Sequence, residues 1–230
     1  SNTRFLLKSK NWKGFLIEGS KTDINKIKSQ RIYWQHKLKA IHAFINKDNI
    51  NQLIRDNLKE KDIGLLSIDI DGNDYWILEK LEEISPAIVV CEYNSLLGDL
   101  CKLTVPYDEN FIRNKKHFSN LYFGCSINAL KNLMHYKGYF FIGTSSTGVN
   151  AFFVKNEFKF SILENLKNVE SYPSLSREAR NQEGKLTFED NIKSLKKIEE
   201  LEIFDLELNK INKIKDYQDL YSGEWKSKFN

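Results

Sequence analysis

Proline is scarce in this chain, with 3 residues among 230, and long apolar runs are absent. No stretch approaches the roughly 18 apolar residues that a membrane-spanning helix needs. Cysteine is also rare. Cys91, Cys101 and Cys125 are odd in number and form no C-x-x-C pair, which argues against a disulfide framework and a zinc site. We therefore expect a protein without a membrane span, located in the reducing cytoplasm.

A strong excess of one charge is lacking as well. The chain has 35 basic and 31 acidic residues, a net charge of +4, and the two signs are interspersed. This distribution lacks the basic stripe that is typical of nucleic-acid-binding proteins, so we expect no nucleic-acid partner. With 41% hydrophobic residues the chain can bury a substantial core, which excludes a disordered protein. The composition says nothing about oligomeric state.

The most informative feature is the segment from Ile63 to Asp74, a short apolar run that leads directly into carboxylates. Asp69, Asp71 and Asp74 follow the run within six positions. A continuous apolar run is typical of a strand buried on both faces, and ligands of open α/β sheets bind beyond the carboxyl ends of such strands. The chemistry of the protein is therefore predicted at this end of the strand.

Apolar strands alternate with helical segments along the first half of the chain, which predicts a doubly wound, mainly parallel α/β sheet. The strands at 139–143 and 149–154 are joined by five residues, too few for a parallel crossover, so we expect the last strand to be antiparallel. Residues 157–230 are rich in charge and predict a helical C-terminal extension on the domain formed by residues 1–156. The aromatic segment 96–124 lacks a period and is interpreted as a functional loop.

Four motifs together resemble S-adenosylmethionine-dependent methyltransferases with a Rossmann-like fold, and within them an FkbM-like bacterial group. The resemblance covers roughly residues 1–154. The motifs are Trp12-Lys13-Gly14-Phe15-Leu16-Ile17-Glu18, Leu65-Leu66-Ser67-Ile68-Asp69-Ile70-Asp71-Gly72-Asn73-Asp74-Tyr75-Trp76, Val89-Val90-Cys91-Glu92-Tyr93-Asn94 and Gly148-Val149-Asn150-Ala151-Phe152-Phe153-Val154. The group is linked to polysaccharide and other small-molecule modification, which implies methyl transfer to an oxygen or nitrogen of a small, carbohydrate-related acceptor.

The resemblance implies S-adenosylmethionine as cofactor and assigns residues to it. Glu18, at the end of its strand, would accept hydrogen bonds from the ribose hydroxyls. Asn46 would meet the adenine edge, and Ser67 is also placed on the cofactor side. Such enzymes begin with a strand and a glycine-rich loop that these residues do not supply, so we expect cofactor binding to need sequence upstream.

Asp69 and Asp71 are the predicted catalytic residues. The resemblance places Asp69 beside the transferred methyl group, where it would act as a general base on the acceptor. A divalent cation is an alternative role for these carboxylates, with Asp69, Asp71 and Glu92 as its ligands. A third interpretation is structural, because Asn73 or Asp74 is well placed to cap the following helix.

The remaining predicted residues would bind the acceptor. Strand ends place polar groups at the pocket, and aromatic side chains pack against sugar rings and donate hydrogen bonds to them. The residues are Glu92, Asn94, Tyr107, His117, Tyr122 and Asn150.

Two further hypotheses stay open. Asp69-Ile70-Asp71-Gly72 also resembles the nucleophile motif of haloacid-dehalogenase-like phosphatases, which use magnesium. In that family the motif usually opens the domain, and Glu189-Asp190 is the downstream acidic pair that we expect could serve here. The other hypothesis is a degenerate methyltransferase fold that acts as a non-catalytic partner in a biosynthetic complex.

Overall fold

The computed structural model describes residues 3–60, 62–166, 168–174 and 178–229. Contacts between residues divide the chain into two compact units. The first consists of Ser1–Asp62 with Lys80–Ser85, and the second of Ile63–Glu79 with Pro86–Asn230.

The first unit is a small α/β assembly around two parallel strands. Its elements are α1 (Arg4–Lys10), β1 (Gly14–Glu18), α2 (Lys21–Ser29), α3 (Arg31–Gln35), β2 (Leu38–His42) and α4 (Ile50–Asn57). β1 and β2 pair in parallel from Gly14 opposite Leu38 to Glu18 opposite His42. The carboxyl ends of both strands therefore lie at the same edge of this sheet.

Helix α2 begins directly after that edge because Ser20 caps it. The Ser20 hydroxyl accepts a hydrogen bond from the Asp23 backbone N–H at 3.2 Å. This satisfies one of the N–H groups that the first turn of a helix leaves without an intrahelical acceptor. Ile24 is the buried residue of the helix, while its lysines face solvent.

The second unit contains the segments with most of the predicted site residues. Its helices and strands are β3 (Leu65–Ile68), α5 (Asp74–Lys80), β4 (Ile88–Glu92), β5 (Leu103–Thr104), α6 (Arg113–Lys116), α7 (Ile127–Tyr136), β6 (Tyr139–Thr144), β7 (Asn150–Lys155), α8 (Lys159–Leu163), α9 (Asn191–Ile198), β8 (Glu202–Asp205), β9 (Lys210–Lys213) and α10 (Gly223–Ser227).

The central sheet of this unit has the strand order β3-β4-β7-β6. β3 and β4 are parallel, whereas β7 pairs antiparallel with both β4 and β6. The predicted antiparallel hairpin of the last two strands is therefore confirmed, and so is a mixed α/β fold with parallel and mixed sheets.

The C-terminal extension differs from the expectation. It contains helices, but β8 and β9 form a hairpin that joins β5 in a three-stranded antiparallel sheet. The prediction of a purely helical extension was therefore wrong. These strands have four residues each and are flanked by lysine and glutamate, so their sequence carries the charge pattern of a solvated helix. Their partner β5 lies about 100 positions earlier in the chain, which local sequence does not reveal.

The aromatic segment 96–124 is packed into the core of the second unit. Leu103, Val105, Phe111 and Phe123 are all buried in the cluster that also holds Ile68 of β3. The C-terminal end of the chain joins the same cluster, since Trp225 is 1% exposed. Both segments thus surround the ends of β3 and β4.

Over the described residues, none of the helices combines the length and the apolar character needed to cross a bilayer.

Candidate functional site

The turn between β3 and α5 is organised around a buried carboxylate. Asp74 is fully buried, and its carboxyl accepts hydrogen bonds from the backbone N–H groups of Ile70 at 3.0 Å and Gly72 at 2.9 Å. These donors precede the helix, so Asp74 holds the turn instead of capping α5. Asn73 likewise uses its side-chain amide elsewhere, donating to the Asp108 carbonyl at 2.7 Å. The predicted capping role is thus wrong for both residues.

The same turn holds Asp71 in an unusual conformation. Its φ is +60°, in the left-handed region that non-glycine residues rarely adopt. At the next position a Cβ on Gly72 would lie 2.2 Å from Cδ1 of Phe111, whose ring is buried. A left-handed aspartate and an obligatory glycine therefore turn the chain sharply at the end of β3.

Glu92 ends β4, the neighbouring strand. Its side chain is 12% exposed, and its Oε2 atom is buried and finds no hydrogen-bond donor among the residues that the structure describes. Asn150 lies opposite Glu92 in the β4–β7 pairing. Its Oδ1 atom is also buried and also finds no hydrogen-bond donor among the described residues. Buried polar atoms are normally paired, so two adjacent unpaired acceptors indicate a place for a hydrogen-bond donor.

Burial separates the pKa values of the carboxyls at this edge. It raises the pKa of Glu92 to about 9, with Asp74 and Asp69 adding to the increase and Arg113 opposing it. It raises the pKa of Asp74 to about 6, against the stabilising effect of the two backbone N–H groups. The pKa of Asp69, which is more exposed, is raised by partial burial and then by the Asp71 carboxylate. The site therefore holds carboxyls that ionise at different pH.

Arg113 of α6 reaches into this acidic group. Its Nη1 lies 3.0 Å from Oδ1 of Asp71 and 3.9 Å from Oε1 of Glu92, and its Nη2 lies 3.4 Å from Oε2 of Glu178. The guanidinium also lies over the ring of Phe123 at 3.5 Å. One cation is thus shared by carboxylates from three separate segments.

A cavity of about 50 Å³ lies beside these groups. Glu92 and Arg113 line it together with Phe123, and the C-terminal segment adds Glu178 and Asn191. Its volume is enough for a water molecule or a small polar substituent.

The predicted metal ligands do converge. One carboxylate oxygen from each of Asp69, Asp71 and Glu92 lies within 4.8 Å of the others. Such a set of oxygen donors matches the preference of magnesium, manganese or calcium. Nη1 of Arg113 already contacts two of the three carboxylates, which places a cation of the protein itself in competition with a metal ion.

Asn94 is buried at the edge of the cavity, but its hydrogen-bonding groups are committed. Its amide donates to the Leu121 and Phe123 carbonyls, and its Oδ1 accepts from the Leu96 N–H. It therefore fixes the segment 121–123 next to the end of β4.

The three aromatic residues predicted to bind the acceptor are in packing contacts. Tyr122 donates from its hydroxyl to the Glu202 carbonyl at 2.6 Å, so it ties the loop to β8. The ring of Tyr107 packs edge-on against Trp76, with centroids 6.4 Å apart. His117 Nδ1 lies 2.6 Å from the Ser119 hydroxyl, and burial lowers the pKa of this histidine.

The predicted cofactor residues lie in both units. In the first unit, Glu18 ends β1 and its Oε1 accepts the Ser20 N–H at 2.8 Å. Asn46 follows β2, and its Oδ1 accepts the N–H groups of Asp48 at 3.0 Å and Asn49 at 2.9 Å. In the second unit, Ser67 is exposed on β3.

Sequence analysis missed Arg113, Phe123 and Glu178. Arg113 stands in the run Arg-Asn-Lys-Lys, which has the composition of a solvated surface. Glu178 is 86 positions from Glu92 in a charged segment, so only tertiary contact brings it to the site.

The fold defines a mixed α/β protein with a cavity at the end of β4, lined by Glu92 and Glu178 among other residues. Comparison of the chain with protein-family models, with curated proteins and with solved structures returned no match.

Proposed function

We propose that the protein is an S-adenosylmethionine-dependent methyltransferase that acts on an oxygen or nitrogen of a small, carbohydrate-related acceptor in polysaccharide biosynthesis. The observation that carries this proposal is the cavity at the end of β4, where Glu92 presents a buried oxygen that finds no hydrogen-bond donor among the described residues. The central sheet supports it, because β7 lies antiparallel between β4 and β6, as the Rossmann-like methyltransferase resemblance implies.

Glu92 and Asp69 would have different roles at the acceptor atom. With a pKa of about 9, Glu92 is protonated at neutral pH and can donate a hydrogen bond that orients the acceptor atom. Asp69 is the better base, because it is more exposed and keeps its charge more readily. It would accept the proton that the attacking hydroxyl or amine loses as the bond to the methyl carbon forms and the bond from that carbon to the cofactor's sulfur breaks, which leaves the demethylated cofactor as a neutral thioether.

S-adenosylmethionine, when bound, supplies the methyl group on a positively charged sulfur. Glu18 fits the cofactor's ribose because a carboxylate at a strand end can accept hydrogen bonds from two neighbouring hydroxyls. Asn46 fits less well, since its Oδ1 already accepts two backbone N–H groups and only its amide nitrogen would face adenine. Beyond these contacts, the protein has to hold the methyl donor and the acceptor in the right relative position, because alignment of the reactants dominates the rate of direct displacement reactions.

Calorimetric titration of S-adenosylmethionine and its demethylated product tests the cofactor. Both this chain and a version extended upstream should be used, because the resemblance implies a strand and glycine-rich loop there. We expect the extended form to bind, and Glu18→Ala to weaken binding about tenfold or more by removing a charge-assisted contact. Glu60→Ala is the matched control, since Glu60 forms a solvent-exposed ion pair with Lys13 in the same unit. Failure of both forms to bind would refute the proposal.

A magnesium-dependent phosphatase is the second candidate, favoured by the convergence of Asp69, Asp71 and Glu92. The contacts of the downstream acidic pair, Glu189-Asp190, are made with lysines of α9 and not with these carboxylates. Asp190 caps α9 by accepting the Lys193 N–H, and Glu189 lies 3.1 Å from Lys197. Magnesium-dependent hydrolysis of p-nitrophenyl phosphate that Asp69→Asn abolishes would favour this candidate. If neither activity is found, the remaining hypothesis is a non-catalytic partner in a biosynthetic complex.

A further inference from the structure

Two contacts that involve no carboxylate hold the guanidinium of Arg113 in place. Its side chain is 11% exposed and lies over the Phe123 ring at 3.5 Å. Its Nε donates to the Asn120 carbonyl at 2.7 Å. Stacking and a directed hydrogen bond fix the plane of a guanidinium, which a lysine ammonium cannot reproduce.

The fixed plane directs the two terminal nitrogens towards acidic side chains. Nη1 contacts Asp71 at 3.0 Å and approaches Glu92 to 3.9 Å, while Nη2 lies 3.4 Å from Glu178. These carboxylates come from the turn after β3, the end of β4 and the segment before α9. Arg113 therefore joins three parts of the second unit at the cavity.

The guanidinium lies where a metal ion would be held. A divalent cation bound by Asp69, Asp71 and Glu92 would sit among oxygens within 4.8 Å of each other, and two of those residues face Nη1. Two positive charges beside the same carboxylates repel each other, which lowers the affinity of these carboxylates for a metal ion. The guanidinium in its present position thus competes with a metal ion for Asp71 and Glu92.

We propose that Arg113 is the resident cation of this acidic group and the positioning residue that holds the Asp71 and Glu92 carboxyls at the cavity, so that the site works without a divalent metal ion. The position of the acceptor relative to these carboxyls rests on the proposed methyl transfer. The occupancy of the acidic group by Arg113 does not rest on the proposed methyl transfer. Metal binding tests it without an activity assay.

Manganese is the probe, because its electron paramagnetic resonance signal distinguishes free from bound ion. We expect wild type to show no saturable site in the range where Arg113→Met binds one manganese ion, with affinity higher by about tenfold or more. Arg113→Lys should remain closer to wild type, since it keeps the charge. Adding Asp71→Asn to Arg113→Met should abolish the gained site. Arg55→Met is the matched control, because Arg55 pairs with Glu83 on an exposed surface of the first unit.

If Arg113 only clamps the loop, Arg113→Met should be less stable than wild type and should gain no manganese binding. That result would overturn the proposal. Equal binding by wild type and variant would overturn it as well. If circular dichroism shows Arg113→Met to be unfolded, Arg113→Gln replaces it, since its amide can still donate to Asn120. In the upstream-extended chain, methyl transfer should survive chelation of metal ions. Loss of cofactor binding there would refute the methyltransferase proposal and leave the manganese result valid.

Discussion

β1 and β3 are both short apolar strands that lead into carboxylates, but their carboxylates have different surroundings. Glu18 after β1 is partly exposed and accepts one backbone N–H, from Ser20. Asp74 after β3 is fully buried and accepts two, from Ile70 and Gly72. The difference arises because the second unit covers the end of β3 with the segment 103–124, whereas the end of β1 is followed directly by a surface helix. The same local pattern thus gives a partly exposed carboxylate in one place and a buried, structural carboxylate in the other.

The largest expected effect is that of Asp74→Ala. Removing the carboxyl leaves two buried N–H groups without an acceptor and opens a cavity, which should cost about 3–5 kcal/mol of unfolding free energy. Glu18→Ala should cost less than about 1 kcal/mol, because water can replace the single acceptor. Urea unfolding at neutral pH measures both. Similar losses of unfolding free energy in the two variants would show that the carboxylates after β1 and β3 do not differ in structural importance.

Glycine follows a carboxylate in both turns, which allows a second paired test. Ala at position 72 would push against the buried ring of Phe111, and we expect Gly72→Ala to cost about 2–3 kcal/mol. At Gly19 the added Cβ would lie 3.3 Å from Cδ2 of Phe44, a half-exposed ring that can shift. Thermal unfolding of Gly19→Ala should therefore differ little from wild type. A mild Gly72→Ala phenotype would show that the turn after β3 is adaptable.

Glu92→Gln should stabilise the protein at alkaline pH. The pKa of Glu92 is about 9 in the folded state against an ordinary 4.5, so its contribution to stability is fully present below about pH 4.5 and is lost as the pH rises towards 9. A neutral glutamine avoids that loss, and we expect a gain of about 1–3 kcal/mol at pH 8 that disappears at pH 4. Denaturant unfolding at several pH values measures it. A gain independent of pH would contradict this origin.

A small loss of stability is expected from Ser20→Ala at the start of α2. It removes the cap on the Asp23 N–H and should cost about 0.5–1 kcal/mol. Ser20→Asp should restore most of that loss, because aspartate is an equally good cap near the positive end of a helix. Thermal denaturation of the three proteins checks this order. No loss in the alanine variant would mean that the first turn of α2 contributes little to the stability of its unit.

The sequence was a good guide to elements that are set by local chemistry. The strands ending at Glu18 and Glu92 and the antiparallel pair around Gly148 follow from apolar runs and a link too short for a crossover. The role of Asp74 in holding the turn after β3 was not predictable, because the fold of the turn decides which N–H groups reach its carboxyl. The hairpin of β8 and β9 was missed since its partner β5 is distant in sequence.

The sequence by itself determined the mixed α/β class and the placement of carboxylates at strand ends, because side-chain periodicity and chain reversal are local properties. Only the tertiary structure decided which of those carboxylates are buried, which share a cation and how their pKa values differ. Arg113 and Glu178 show why. Burial and Coulomb interactions depend on distances between residues that are far apart in the chain, and those distances exist only once the core has formed.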